Sequence, residues 1–281
     1  MLSRRETGGA PADGTPPRAG LAYMPGVDGL RALAVAAVVI YHLGAGWLPG
    51  GYLGVDVFLV ISGFLITSLL LAEHDRSGRI DLRRFWFRRA RRLLPAVFVM
   101  IAVVLAVMMI LHAGEVARLR GQVVASLAYV VNWHFIFADV PYFEQFGRPS
   151  VFLHLWSLAI EEQFYLVWPL VLAGVLALVA WRRTVLAVLV VAAGTVSVVL
   201  AWVLWEPFAD PSRIYYGTDT RMVALLAGVG LALAPAALRG HTPGRRAACV
   251  GVQVLGVAGL AGVLLAMFTL GDLDEGLYRG G

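Results

Sequence analysis

Lysine does not occur in this sequence, and cysteine occurs once, at Cys249. A single cysteine set in an apolar run excludes an intrachain disulfide and leaves the redox compartment unread. Charge is scarce as well: Asp, Glu, Lys and Arg make 15% of the 281 residues, while 59% are hydrophobic. Soluble domains carry about 45–50% apolar residues. The mean hydropathy is +0.77, and several runs approach or exceed the ~20 apolar residues that cross a bilayer. The expected fold is therefore all-α, a polytopic transmembrane helix bundle. All 23 basic residues are arginine. They cluster in short segments between apolar runs, as the loops of a membrane protein do, so a nucleic-acid partner is not expected and membrane lipid is. No group of His, Cys and acidic residues has metal-ligand spacing on one helix, so no metal is expected.

Along the chain, residues 1–22 are rich in Gly, Pro and Ala without apolar periodicity, and are expected to form a disordered cytoplasmic tail. Residues 23–281 read as one membrane domain of seven to eight helices. The expected spans are 28–46, 53–72, 93–111, 154–181, 184–205, 221–238 and 248–270. Trp47 and Tyr52, in the turn after the first span, are expected as interface aromatics. The segment between Glu73 and Pro95 holds eight arginines and three acids, which places it and the N-terminus in the cytoplasm. Pro95 is expected in the first turn of the third span. Residues 119–138 are apolar but carry Asn132 and His134. If they cross fully, Arg182, Arg183, Arg239, Arg245 and Arg246 all fall outside. If they are re-entrant, all fall inside, and the charge rule favours this second reading.

Three stretches carry candidate chemistry. Arg31 and His42 lie eleven residues apart in the first span, on one helical face and about 16 Å apart along the axis. An arginine and a histidine aligned inside a membrane helix mark a path or a site. The second stretch, RRFWFRRARRLLP, places Arg89 and Arg92 at i,i+3, where guanidinium forks and free backbone N–H groups suit a phosphate-bearing cofactor. The third, HLWSLAIEEQFYLVWPL, puts His154, Glu161, Tyr165 and Trp168 on one face, with Ser157 one turn before Glu161. Adjacent carboxyls at Glu161 and Glu162 inside a span are costly and suit general acid/base work. Asp56, entering the second span, is either a cap or a functional group. Arg221 reads as an anchor or a structural pair, and Asn132 and His134 as packing polar groups.

These segments together resemble membrane-bound acyltransferase family 3, the bacterial integral-membrane O-acyltransferases of surface glycans. The resemblance rests on DGLRALAVAAVVIYH, GGYLGVDVFLVISGFLIT, FWFRRARRLLPA and HLWSLAIEEQFYLVWP in this order, with YYGTDTRMVALLAGVGLA as weaker support. It implies transfer of an acyl group, usually acetyl, from cytoplasmic acyl-coenzyme A, a co-substrate, to a sugar hydroxyl of an envelope or secreted glycan. It makes His42 the catalytic histidine, with Glu161 or Glu162 orienting it or the acceptor. Arg31, Arg89 and Arg92 become donor-binding residues, and Asp56, Ser157 and Tyr165 acceptor contacts. A multi-pass protein of the cytoplasmic membrane is implied. A distal segment of the type SYxLYLWH, with which members of the family continue, is absent from this sequence, so a bundle larger than this chain is expected. The alternative is a proton-coupled transporter, since intramembrane His and Glu also make relays. An internal repeat would favour transport, and none is visible.

Overall fold

The computed structural model describes residues 24–44, 46–143, 150–179, 182–207, 209–234 and 246–271. The expected tail at 1–22 and most of the arginine loop at 239–247 lie outside the described residues. Among them every regular element is helical. Helix α1 spans Pro25–His42, α2 Gly54–Ser77, α3 Leu82–Leu111, α4 Arg120–Leu127, α5 Val131–Phe137 and α6 Leu155–Leu178. They are followed by α7 Arg182–Leu204, α8 Ser212–Tyr216, α9 Thr218–Leu233 and α10 Arg246–Thr269. Short 3-10 segments at Gly51–Leu53 and Ala113–Leu119 lead into α2 and α4. Among the described residues, four helical segments are long and apolar enough to cross a membrane: Gly51–Ser77, Leu82–Leu111, Leu155–Leu178 and Arg183–Leu204. The protein is a multi-pass helical bundle.

Helix α2 is its axis. Gly63 lies against the carbonyl of Leu225, and Gly228 of α9 against the carbonyl of Val60, so any side chain at either position would push the two backbones apart. Helices in a bilayer gain nothing from excluding water, and close backbone approach through small residues supplies much of their association. Gly51 and Gly54 bring the same segment down on Ala37 and Ala34 of α1. Around this axis Leu59, Leu70, Ile160, Leu172, Leu225 and Val229 are almost wholly buried.

Two expectations change, and a segment left open takes a definite form. The third helix begins at Leu82, not near residue 93, because Asp81 caps it: its Oδ1 accepts from the Arg84 N–H at 2.9 Å. RRFWFRRARR contains no breaker, and Phe85 and Trp86 pack inward, so the arginines sit on the helix and Pro95 lies inside it. Tyr52 is no interface aromatic: it is 0% exposed, with its hydroxyl donating to the Gly271 carbonyl at 3.1 Å. Trp47 is exposed and stacks on Phe268. Finally, residues 120–137 are not one spanning helix. The chain breaks between α4 and α5 at Tyr129, whose φ of 55° is left-handed.

That break makes a hairpin. Ser150, close to the start of α6, donates to Gln122 of α4 at 2.6 Å. The Tyr129 carbonyl at the tip accepts from Gln163 Nε2 at 2.8 Å, about 12 Å further along α6 at 1.5 Å per residue. The chain then returns through α5 to Tyr142, beside His42. The hairpin thus enters and leaves at the His42 end.

Candidate active site

His42 closes α1, with its ring exposed at this end of the bundle. Nδ1 lies 2.8 Å from the Val38 carbonyl. A carbonyl only accepts, so Nδ1 carries the proton and Nε2 of the neutral ring keeps its lone pair. Nε2 faces the hydroxyl of Tyr142 at 3.5 Å. His154, at the start of α6, is the neighbouring titratable group. Burial, and secondarily the charge of His42, hold its pKa below the usual histidine value.

Behind this mouth stands a stack of aromatic rings. Tyr142 meets Tyr215 at 4.4 Å between centroids, and Tyr215 meets Trp156 at 4.6 Å. The Arg221 guanidinium lies 4.2 Å over the Tyr215 ring and pairs with Asp56 at 2.8 Å. Asp56, expected as an acceptor contact, is therefore engaged by Arg221, the structural pair that the sequence left open.

The carboxylates expected beside His42 point elsewhere. Glu161, 7% exposed, accepts from Ser62 of α2 and from Tyr165 at 3.1 Å. Glu162 pairs with Arg89 of α3 at 2.8 Å, and that guanidinium lies 3.5 Å over the Tyr165 ring. Gln163 continues the series, donating to Asn132 Oδ1 at 2.9 Å and accepting from Thr218 at 2.7 Å. Trp168 donates to Thr67 of α2 at 2.8 Å. Along α6, Glu161 and Trp168 thus bond α2, Glu162 bonds α3 and Gln163 bonds the hairpin and α9, while His154 at its start stays beside His42.

The expected arginines separate. Arg31 lies 5.1 Å over Phe58 in a groove along α1 that passes Val35 and Val39. An adjoining groove, sharing Val35, Val39 and Phe58, reaches Ser157 and Glu161. Arg89 turns inward into a groove of about 350 Å³ with Tyr129, Glu162 and Gln163, whereas Arg92 is exposed, as are Arg83, Arg84, Arg88 and Arg91. Tyr142, Ser62 and Gln163 escaped the sequence reading. Ser62 and Gln163 show no signal beyond polarity within an apolar run. Tyr142 sits in the turn-rich segment ADVPYFEQF, where no periodicity marks a face.

A family model described as an acyltransferase domain matches residues 24–279. The chain belongs to this family. Within the matched span lie all the site residues named above. The chain is similar to a peptidoglycan O-acetyltransferase, OatA, of Listeria monocytogenes, 45% identical over 271 residues. It is also similar to an O-acetyltransferase, OatA, of Staphylococcus aureus, 44% identical over 261 residues. Each alignment covers 92% of this chain and 42% of the relative, so the acyltransferase chain spans less than half the length of the curated relatives it matches. No solved structure matches it.

Proposed function

We propose that this chain carries the membrane-embedded part of an O-acetyltransferase that moves an acetyl group from acyl-coenzyme A to a sugar hydroxyl of an envelope glycan, with peptidoglycan the first acceptor to test. The observation that carries the reading is the state of His42: Nδ1 tied to its own helix, Nε2 free to take a proton, and the ring at an open mouth. A thioester is already activated, so the protein has to supply a base for the acceptor hydroxyl, donors for the oxyanion and alignment. His42 is the base. The exposed arginines of α3, Arg92 among them, meet the donor's phosphates, and the groove from Arg31 towards Ser157 is the donor's route along α1. Arg89, already committed to Glu162, contributes by fixing the framework, as do Glu161, Glu162 and Tyr165. The arginine-rich start of α3 and the N-terminus lie on the cytoplasmic side of the cell membrane, and His42 towards the far side.

The test is transfer of labelled acetyl from acetyl-coenzyme A to envelope glycan in membranes expressing the protein or its His42→Ala variant at equal levels. Label should appear with the wild type and fall by at least about 10³-fold in the variant, the scale of losing both the base and the alignment it gives. Equal label in both removes His42 from the chemistry.

A further inference from the structure

We infer that Ser157 sets the length of the acyl group that this protein transfers: its hydroxyl stands in a slot beneath His42 that takes the tail of the acyl chain and excludes tails longer than acetyl. The inference rests on the reading of His42 as the base of an acyl transfer. The slot, about 250 Å³, lies between α1, α2 and α6. Two helices place its upper end under the histidine. Val38, on the α1 wall, is the residue whose carbonyl holds His42 Nδ1. Ser157, on the α6 wall, stands about one turn below His154, the neighbour of His42. Glu161 lies one further turn along α6 and closes the lower end.

Charge sorts the two ends of the donor. The adjoining groove on α1 leads to Arg31, a guanidinium that suits a phosphate-bearing arm. The slot leads instead to the Glu161 carboxyl, which accepts from Ser62 and Tyr165 and gives a phosphate no partner. A thioester carbon bears one substituent besides its oxygen and its sulfur. With the sulfur arm in the Arg31 groove, that substituent is left for the slot.

Polarity then measures the tail. Val38, Phe58, Leu59 and Leu158 give the slot apolar walls. The Ser157 hydroxyl makes no hydrogen bond to another described residue, so its partner is whatever fills the slot. An acetyl methyl leaves room for water at that oxygen. Each further methylene displaces the water and sets carbon against a hydroxyl that then goes unpaired. A site built to hydrogen-bond its contents rejects an apolar group more steeply than an apolar pocket rejects one extra methylene.

The test is a competition. Membranes expressing the protein receive equal acetyl- and butyryl-coenzyme A, and the acids released from the glycan by mild base are counted. Their ratio follows the two kcat/KM values and is not moved by how much of a variant is folded. The wild type should favour acetyl by about 10²-fold or more. Ser157→Ala removes the hydroxyl and should shift the ratio about tenfold towards butyryl. Ser157→Thr keeps the hydroxyl and should hold the wild-type ratio or sharpen it. An unmoved ratio in Ser157→Ala overturns the inference. So does an equal shift in Ser157→Thr, which assigns the effect to packing, and so does a wild type that transfers both groups alike. Wild-type membranes that transfer neither group, or a His42→Ala protein that still transfers acetyl, overturn the reading of the site and this inference with it. Loss in His42→Ala beside an unmoved ratio in Ser157→Ala overturns this inference alone.

Discussion

The two polar groups of this bundle are made from the same kinds of residue and finished differently. Around Glu161, Glu162 and Gln163, each side chain is bonded to another helix: to Ser62 of α2, Arg89 of α3, and Asn132 and Thr218 at the hairpin and α9. Around His42 the ring is exposed, one nitrogen is bound to its own helix, and the other meets Tyr142 at the limit of hydrogen-bond range. In a low dielectric an ionisable group must be satisfied by the protein or costs several kcal/mol. The closed group has spent its valences on architecture, and the open group has one nitrogen that no short hydrogen bond holds. Proximity in sequence to a charged motif is thus a poorer guide to chemistry than an unfinished hydrogen bond at an opening.

Breaking the axis should erase the distinction altogether. Gly63→Leu drives a side chain into the α9 backbone and should cost more than about 3 kcal/mol, the upper range for overpacking. Size-exclusion profiles in detergent should show the folded peak lost. A folded protein with unchanged thermal midpoint would show that α2 and α9 do not need this contact.

Next in size is the closed group. Glu162→Gln leaves the Arg89 charge, 23% exposed, without its counter-ion, and should destabilise by on the order of 2 kcal/mol, below the cost for a fully buried pair. The swap Arg89→Glu with Glu162→Arg should recover part of that stability by thermal unfolding in detergent. A swap no better than the single variants argues that Arg89 does more than hold Glu162. At the open group, Asp56→Asn should cost about 1 kcal/mol and slow acetyl transfer about tenfold by loosening Arg221 over Tyr215. A loss as large as that of His42→Ala would place Asp56 in contact with substrate after all.

The smallest effect is a pH dependence. The folded pKa of His154 lies below its unfolded value, so the folded state binds fewer protons and stability falls as pH drops through the unfolded pKa near 6.5. Between pH 7.5 and 5.5 the thermal midpoint of His154→Gln should fall less than that of the wild type. Parallel curves would remove His154 from the mouth's electrostatics.

Much of the architecture was legible, because apolar runs of spanning length leave a bilayer helix as the fold that satisfies every backbone group. The start of α3 was misplaced for a local reason: Asp81 and its bond to the Arg84 N–H extend the helix through residues that read as loop. The hairpin could be favoured from arginine placement, but its break could not be located. Tyr129 lies in AYVV, with no Gly or Pro to announce a left-handed residue, and the conformation is held by Gln163 from another helix. For the site, His42 and the polar face of α6 were visible as ionisable residues in apolar runs. What they face was not, since Glu161 finds Ser62 and His42 finds Tyr142 only through tertiary packing.

The missing lysine has a consequence inside the closed group. A guanidinium presents its donors as a planar fork, whereas an ammonium is a point charge on a flexible stem. Arg89 reaches the Glu162 carboxylate through both Nε and a terminal nitrogen at 2.8 Å, a two-point grip that a lysine there could not make, so α3 is held against α6 in orientation as well as in distance.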